Sequence, residues 1–249
     1  MTPDAVIYRY LQLVAPSERD VDQLCLLLSA DADLLTRWLK FLDLPADLDA
    51  LRAQIVALDD EEFKGLAQSQ ALAVQPMVGS ARLSLEQWLA VLRAACLAEA
   101  LAEHLTPESA TDPLPAGSGS GANVRLRALL ALSGVHLPRD EALTTLIEFR
   151  GTNPALLEDA TLELKIFAVV DAMQVGREVE LAGDLLGLPA ATFAALLESA
   201  EAASQRLVQQ LGIDVHGDVD WANRIWLRQQ IGIMAAGFRL CENLAAFNT

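Results

Sequence analysis

The sequence has few aromatic residues and no long apolar run. Only 5% of the 249 residues are aromatic although 53% are hydrophobic, so aliphatic side chains must build most of the core. A chain of this length can bury a sizeable core, as one large domain or as two lobes. No apolar stretch approaches the roughly 20 residues of a membrane-spanning helix. The first ten residues, MTPDAVIYRY, lack the pattern of a signal peptide. We therefore expect a cytoplasmic protein with no membrane partner.

Basic residues are also scarce. Lysine and arginine number 18 against 34 aspartates and glutamates, which gives a net charge of -16 and a pI of about 4.5. Contacts to phosphates dominate the affinity of proteins for nucleic acids, so a strongly acidic surface repels DNA and RNA unless a dense basic patch overrides it. The sequence contains no such cluster of lysine and arginine. These observations predict no nucleic-acid partner.

Cysteine is too rare and too scattered to form a metal site or a disulfide framework. The three cysteines lie far apart inside apolar helical stretches: Cys25, Cys96 and Cys241. The count is odd and no Cys-x-x-Cys pair is present, which favours buried free thiols in a reducing compartment. A catalytic cysteine would need a positioned base nearby in space, and nothing in the sequence identifies one.

Histidine is equally rare. His104, His136 and His216 lie on separate segments, and none has a second histidine three to five residues away, so the signal for a zinc site is very weak. His136 follows a Ser-Gly pair in RALLALSGVHLP, residues 127–138, and is interpreted as a turn residue. The pattern predicts no metal site.

The densest group of polar ligands is DVHGDVD, residues 214–220. A calcium-binding EF-hand loop would carry glycine at the sixth position and glutamate at the twelfth, whereas this segment has Gly217 at the fourth and Ile225 at the twelfth. Asp218 instead suits a helix N-cap. The acidic run DDEE, residues 59–62, is likewise typical of a helix's first turn. Since the chain also lacks a nucleophile elbow, a P-loop and a dinucleotide fingerprint, we predict no catalytic residue and no cofactor.

Aliphatic residues recur at helical spacing, and strand-like alternation is scarce, which predicts an all-α protein. Asn123 is interpreted as an N-cap, Gly151 as a left-handed helix end, and Arg150 as a basic residue near the negative end of that helix. The predicted helices cover 3–14, 20–29, 31–43, 47–57, 60–73, 83–105, 123–133, 139–149, 159–174, 178–187, 190–212 and 219–246. The run TPESATDPLPAGSGSG at 106–121 contains three prolines and three glycines and predicts a flexible linker. We expect an N-terminal lobe over 1–105, a second lobe over 122–217 and a long last helix over 218–249.

Three segments resemble motifs of the HDOD domain family. LLLSADADLLTRWLKFLDL, residues 26–44, is similar to the family's opening motif, with Asp31-Ala32-Asp33 in place of Asp-Pro and Asp43 at an asparagine position. LSLEQWLAVLRAACLAEALAEHL, residues 83–105, resembles the central helix. RLRALLALSGVHL, residues 125–137, resembles the His-Asp helix. The resemblance covers most of the first 210 residues and implies a two-lobed helical fold.

HDOD domains are related to HD-type metal phosphohydrolases, so the resemblance also implies where metal ligands would lie. The first histidine position holds Ala90, the His-Asp pair holds Ala131 and Leu132, and Gly134 is retained. Asp171, in FAVVDAM, could occupy the final aspartate position. Alanine and leucine cannot coordinate a cation, and one carboxylate does not hold a catalytic dication. The resemblance therefore implies a degenerate, non-catalytic site.

Such domains are linked to bacterial signalling, where they commonly accompany response-regulator, GGDEF or EAL modules. The resemblance implies a regulatory domain that acts through protein contacts and is modulated by a small molecule between its lobes. The alternative is a divergent HD-type phosphohydrolase that uses Asp171 and other carboxylates.

The last helix, 218–249, carries apolar residues on more than one face. One stripe alternates spacings of four and three, as in a coiled coil: Leu227, Ile231, Met234, Phe238, Cys241 and Ala245. A second stripe contains Trp226, Ile233, Leu240 and Phe247. Two interpretations remain open: the helix closes the core, or it forms a homodimer or leads into an output module, for which a GGDEF-type diguanylate cyclase is the first expectation.

Overall fold

The computed structural model describes residues 2–14, 19–73, 84–106, 121–137, 140–152, 157, 159–174 and 183–213. These residues form helices and no strand, which confirms the all-α prediction. The helices are α1 (Asp4–Val14), α2 (Val21–Leu28), α3 (Ala32–Leu42), α4 (Leu48–Ala57), α5 (Asp60–Ala73), α6 (Leu85–Leu105), α7 (Gly121–Leu132), α8 (Glu141–Glu148), α9 (Leu162–Gln174) and α10 (Ala190–Leu211). A short helical turn at 183–185 precedes α10. None of the described helices combines the length and hydropathy needed to cross a bilayer.

Aspartate begins many of these helices. The caps and the backbone N–H groups that donate to them are Asp20 with Gln23, Asp31 with Leu34, Asp47 with Ala50, and Asp140 with Leu143, at 2.8–3.0 Å. The DDEE run begins α5 as expected, since Asp59 accepts from the N–H groups of Glu61 and Glu62. A carboxylate at a helix start pairs with free N–H groups and with the positive end of the dipole. Part of the chain's acidity thus has a local structural role.

Helix α6 is the centre of the core and packs against α7, α9 and α10. Its buried face alternates leucines with small residues such as Ala95 and Ala98, which let neighbouring helices approach closely. Polar contacts fix each neighbour: Arg125 of α7 pairs with Glu99 at 2.9 Å, Arg93 pairs with Glu201 of α10 at 2.8 Å, and Gln174 of α9 donates to the Ala90 carbonyl at 2.8 Å.

The first five helices form a group joined to this centre. Helix α1 packs against α2 and α5, and both α3 and α4 contact α7. Tyr10 is fully buried, and its hydroxyl donates to the Ala67 carbonyl at 3.2 Å. Burial raises the pKa of that hydroxyl. One continuous cluster of buried side chains includes residues from α1 to α10.

Two of the three cysteines confirm the prediction of buried free thiols. Cys25 and Cys96 are buried and unbonded, and desolvation raises the pKa of each thiol to about 11. A thiol with so high a pKa is almost entirely protonated at neutral pH and is a poor nucleophile. Cys241 lies outside the described residues.

The prediction that Asn123 caps the helix after the linker is wrong. Helix α7 begins two residues earlier, at Gly121, so the predicted linker was also too long at that end. Asn123 is buried inside α7 and serves α4 instead: its Oδ1 accepts from the Leu48 N–H at 3.1 Å, and its amide donates to Asp47 at 3.4 Å. A polar residue near a predicted start looked like a local cap because the sequence does not show its distant partner.

Several predictions fall outside the described residues. These are most of the 106–121 linker, the first part of the 178–187 helix, the 214–220 segment with His216 and Asp218, and the whole last helix with Leu227, Ile231, Met234, Phe238 and Cys241.

Candidate functional site

A cavity of about 330 Å³ lies where the start of α3, the first turns of α6 and the end of α7 meet. Its lining contains two acidic residues, Asp31 and Asp33, together with Thr2 and one basic residue, Arg150. Apolar side chains also line it: Trp88, Val91, Leu129, Leu132 and Val135. The cavity therefore combines charges of both signs with an apolar surface.

Asp31 is the most deeply buried charged group of the cavity, with 2% of its surface exposed. As the N-cap of α3, its Oδ1 accepts from the Leu34 N–H at 3.0 Å and from the Thr2 hydroxyl at 2.9 Å. Burial raises the pKa of this carboxyl to about 6, and the nearby Asp33 charge also raises it, although those two hydrogen bonds and the N-terminal charge lower it. Asp33 pairs with Arg37, one turn further along α3, at 3.3 Å, and lies 3.3 Å from the Thr2 hydroxyl.

Arg150 is held in place by a turn that follows α8. Gly151 has a φ of +74°, which confirms the predicted left-handed position, and its N–H donates to Asp171 Oδ2 at 2.7 Å. The other oxygen of Asp171 lies 3.5 Å from Arg150 Nε. The sequence reading of Arg150 as a helix-end residue missed this ion pair. Asp171 thus fixes both the turn and the arginine, while 46% of the Arg150 side chain stays exposed.

The end of α7 contributes Leu129, Leu132 and Val135 to the apolar lining, and a specific type of helix end positions them. Gly134 has a φ of +70°, its N–H donates to the Ala131 carbonyl at 2.9 Å, and the Val135 N–H donates to the Leu130 carbonyl at 2.9 Å. This pair of bonds is a Schellman motif, which requires a residue tolerant of positive φ, and glycine is the usual one. The turn places Ser133 and Val135 at the cavity beside Leu132.

Trp88 is a lining residue from the first turn of α6. Its indole Nε1 donates to the Ala30 carbonyl at 2.9 Å, immediately before Asp31, and 2% of its surface is exposed. The bond ties the first turn of α6 to the loop between α2 and α3. This buried polar contact, together with the apolar core, holds α6 against the residue that precedes Asp31.

The resemblance assigns four positions to a lost metal site, and only one of them, Leu132, lines the cavity. Leu132 lines the cavity, whereas Ala131 is fully buried beside it in α7. Ala90 is half-buried, and its carbonyl accepts from Gln174. Asp171 is buried and reaches the cavity only through Arg150, its ion-pair partner. None of the three apolar side chains offers a metal ligand.

Neither of the described histidines, His104 and His136, lines this cavity. His136 is exposed in the non-helical segment after α7, and His104 is exposed near the end of α6. Within the ranges that the structure describes, no three His, Cys, Asp or Glu side chains converge in a way that could hold a metal ion.

Sequence reasoning did not foresee that Thr2, Asp31 and Arg150 would share one cavity. Asp31 was noted only as part of a family-like motif, and Thr2 carried no signal. Residues 2, 31 and 150 are distant along the chain, so only the packing of α3, α6 and α7 brings them together.

A scan of the chain against protein-family models gives no match, and no curated protein and no solved structure matches it.

Proposed function

We propose that the chain is a non-catalytic bacterial regulatory domain that acts in the cytoplasm through protein contacts, with a two-lobed arrangement similar to that of HDOD domains. The motifs at 26–44, 83–105 and 125–137 motivate the family, and the helical fold agrees with it at the level of fold class. The acidity of the chain is compatible with a protein partner and unfavourable to a nucleic acid.

The observation that supports a non-catalytic role is that Asp171 is already bonded within the protein. It is the one acidic residue at the aligned ligand positions, and it already accepts from the Gly151 N–H and pairs with Arg150. A dication there would have to compete with a guanidinium for the same carboxylate. Ala131 and Leu132 supply no further ligand, and a catalytic dication needs several.

The contact surface in this proposal is the apolar last helix, 218–249, which lies outside the described residues. Its two stripes support contact with a second copy of the chain or with an attached or separate output module, of which a GGDEF-type module is the first candidate.

Metal content tests the proposal against the alternative of a divergent HD-type phosphohydrolase. Protein purified without chelators or a metal-affinity tag is analysed by elemental mass spectrometry, and its melting temperature is followed during a manganese titration. We expect substoichiometric metal and no manganese-dependent stabilisation, because the aligned positions offer a single, already paired carboxylate.

The Asp171→Asn variant and the Asp49→Asn variant, which alters an exposed acid of α4, complete this test. Near-stoichiometric manganese, iron or zinc that is lost in Asp171→Asn and retained in Asp49→Asn would overturn the proposal and support the hydrolase.

A further inference from the structure

We propose that the cavity between α3, α6 and α7 binds a free aliphatic α-amino acid, whose ammonium group contacts Asp31 and Asp33 and whose carboxylate contacts Arg150. This inference goes beyond the regulatory role, since it names a ligand class that would bind whether or not the domain controls a partner.

The two acidic residues that line the cavity favour an ammonium group. Asp31 is buried, and its hydrogen-bond donors among the described residues, the Leu34 N–H and the Thr2 hydroxyl, are both neutral. The N-terminal charge is the weakest of the influences that lower the pKa of Asp31. A bound ammonium group would add a cation in direct contact with this buried carboxylate, which is costly without one. Asp33 also lines the cavity and adds a second negative charge, whose described cationic partner is Arg37. With a pKa of about 6, Asp31 is mostly ionised at pH 7, as such a partner requires.

Arg150 gives the cavity a place for the carboxylate. Its contact to Asp171 involves Nε at 3.5 Å, and nearly half of the side chain is exposed. A guanidinium group has five donors arranged as a planar fork and commonly binds a carboxylate through two parallel hydrogen bonds. A ligand with only an ammonium group would leave this site unused, whereas a zwitterion uses both ends.

The apolar lining and the volume of the cavity favour a small ligand with an aliphatic side chain. A cavity of 330 Å³ is near the lower end of the range for small-molecule pockets, which favours a ligand of few atoms. Trp88, Leu129 and Leu132 offer an aliphatic side chain a surface to pack against. A phosphorylated ligand would instead face two carboxylates in a chain whose net charge is -16.

Binding to the full chain can be measured by saturation-transfer NMR and calorimetry at pH 7. The probes are leucine, isoleucine, valine and methionine. Two leucine analogues serve as matched controls: leucinamide lacks the carboxylate, and 4-methylpentanoate lacks the ammonium group. We expect at least one of the four amino acids to bind, and the matched analogues to bind leucine's site about tenfold more weakly or worse, since each loses a charge-assisted contact.

Three variants locate the site. Arg150→Gln should weaken leucine about tenfold and leave leucinamide unchanged, because only the carboxylate contact is lost. Ser133→Trp, at an exposed position on the rim, should block both probes while circular dichroism shows an unchanged fold. Arg52→Gln removes a half-exposed arginine that pairs with Asp22 away from the cavity, and should change neither affinity.

The inference is overturned if none of the four amino acids binds the wild type. It is also overturned if leucine and its analogues bind equally, or if Arg52→Gln weakens leucine as much as Arg150→Gln. Because metal content is measured separately, failure of this inference and failure of the proposed regulatory role are distinguishable.

Discussion

At the scale of single residues, Asp31 has the most unusual environment. It caps α3, lines the cavity and is almost fully buried, and desolvation raises its pKa from 3.8 to about 6. The folded state therefore holds this proton more tightly than the unfolded state does. The contribution of Asp31 to stability is complete below pH 3.8, falls as the pH rises, and is lost above about pH 6.

The Asp31→Asn variant should remove this pH dependence while its side-chain carbonyl continues to accept from the Leu34 N–H. Relative to the variant, the wild type should lose at most about 3 kcal/mol of unfolding free energy between pH 4 and pH 7. Urea unfolding at a series of pH values measures the difference. Asp20→Asn replaces a cap carboxylate at the exposed start of α2 and is the matched control for the substitution itself. A wild-type stability that rises relative to Asp31→Asn across this range would contradict the assigned pKa.

At the scale of elements, caps in this protein also join helices that are distant in sequence. Asp140 accepts from the Leu143 N–H as the cap of α8 at 2.9 Å, and its second oxygen accepts from the Ala46 N–H at 3.0 Å. Ala46 lies in the turn between α3 and α4, so one buried carboxylate connects the two halves of the chain. Asn123 makes a similar connection to the start of α4.

Replacement of Asp140 by alanine should therefore cost more than the loss of a simple cap. We expect a decrease in unfolding free energy of about 2–4 kcal/mol, because α8 loses its cap and the buried Ala46 N–H loses its acceptor. Asp20→Ala removes an exposed cap whose side chain accepts only from the Gln23 N–H among the described residues. This substitution should lower the unfolding free energy by about 1 kcal/mol. Urea denaturation followed by circular dichroism measures both. Equal losses would show that the contact between Asp140 and Ala46 contributes nothing.

At the scale of the whole molecule, α6 packs against three other helices, α7, α9 and α10, at the centre of the core. A contact with a partner requires a separate apolar surface. The proposed surface is the apolar last helix, whose stripe includes Met234 and Phe238. Replacing both by glutamate should abolish self-association or binding of an output module, because two charges would enter an apolar contact, while the helical content stays unchanged.

Analytical ultracentrifugation and circular dichroism of the Met234→Glu, Phe238→Glu double variant make this measurement. Phe41→Glu adds a charge at an apolar residue of α3 that is already 62% exposed, and should leave association unchanged. If the double variant unfolds, the last helix closes the core, and the contact proposal fails.

The sequence by itself determined the helices. Apolar spacing and caps such as Asp31, Asp47 and Gly134 act within a few residues of the chain, so the predicted bounds of α1 to α9 lie within about three residues of the observed ones. It also determined that Cys25 and Cys96 are buried, since both lie within apolar runs. Only the tertiary structure decided which side chains meet. The role of Asn123 in α4, the ion pair between Arg150 and Asp171, and the cavity that joins Thr2 to Arg150 all depend on contacts between helices distant in sequence. Local patterns carry no record of such contacts, because the same cap or ion pair can form with any partner that packing brings within reach.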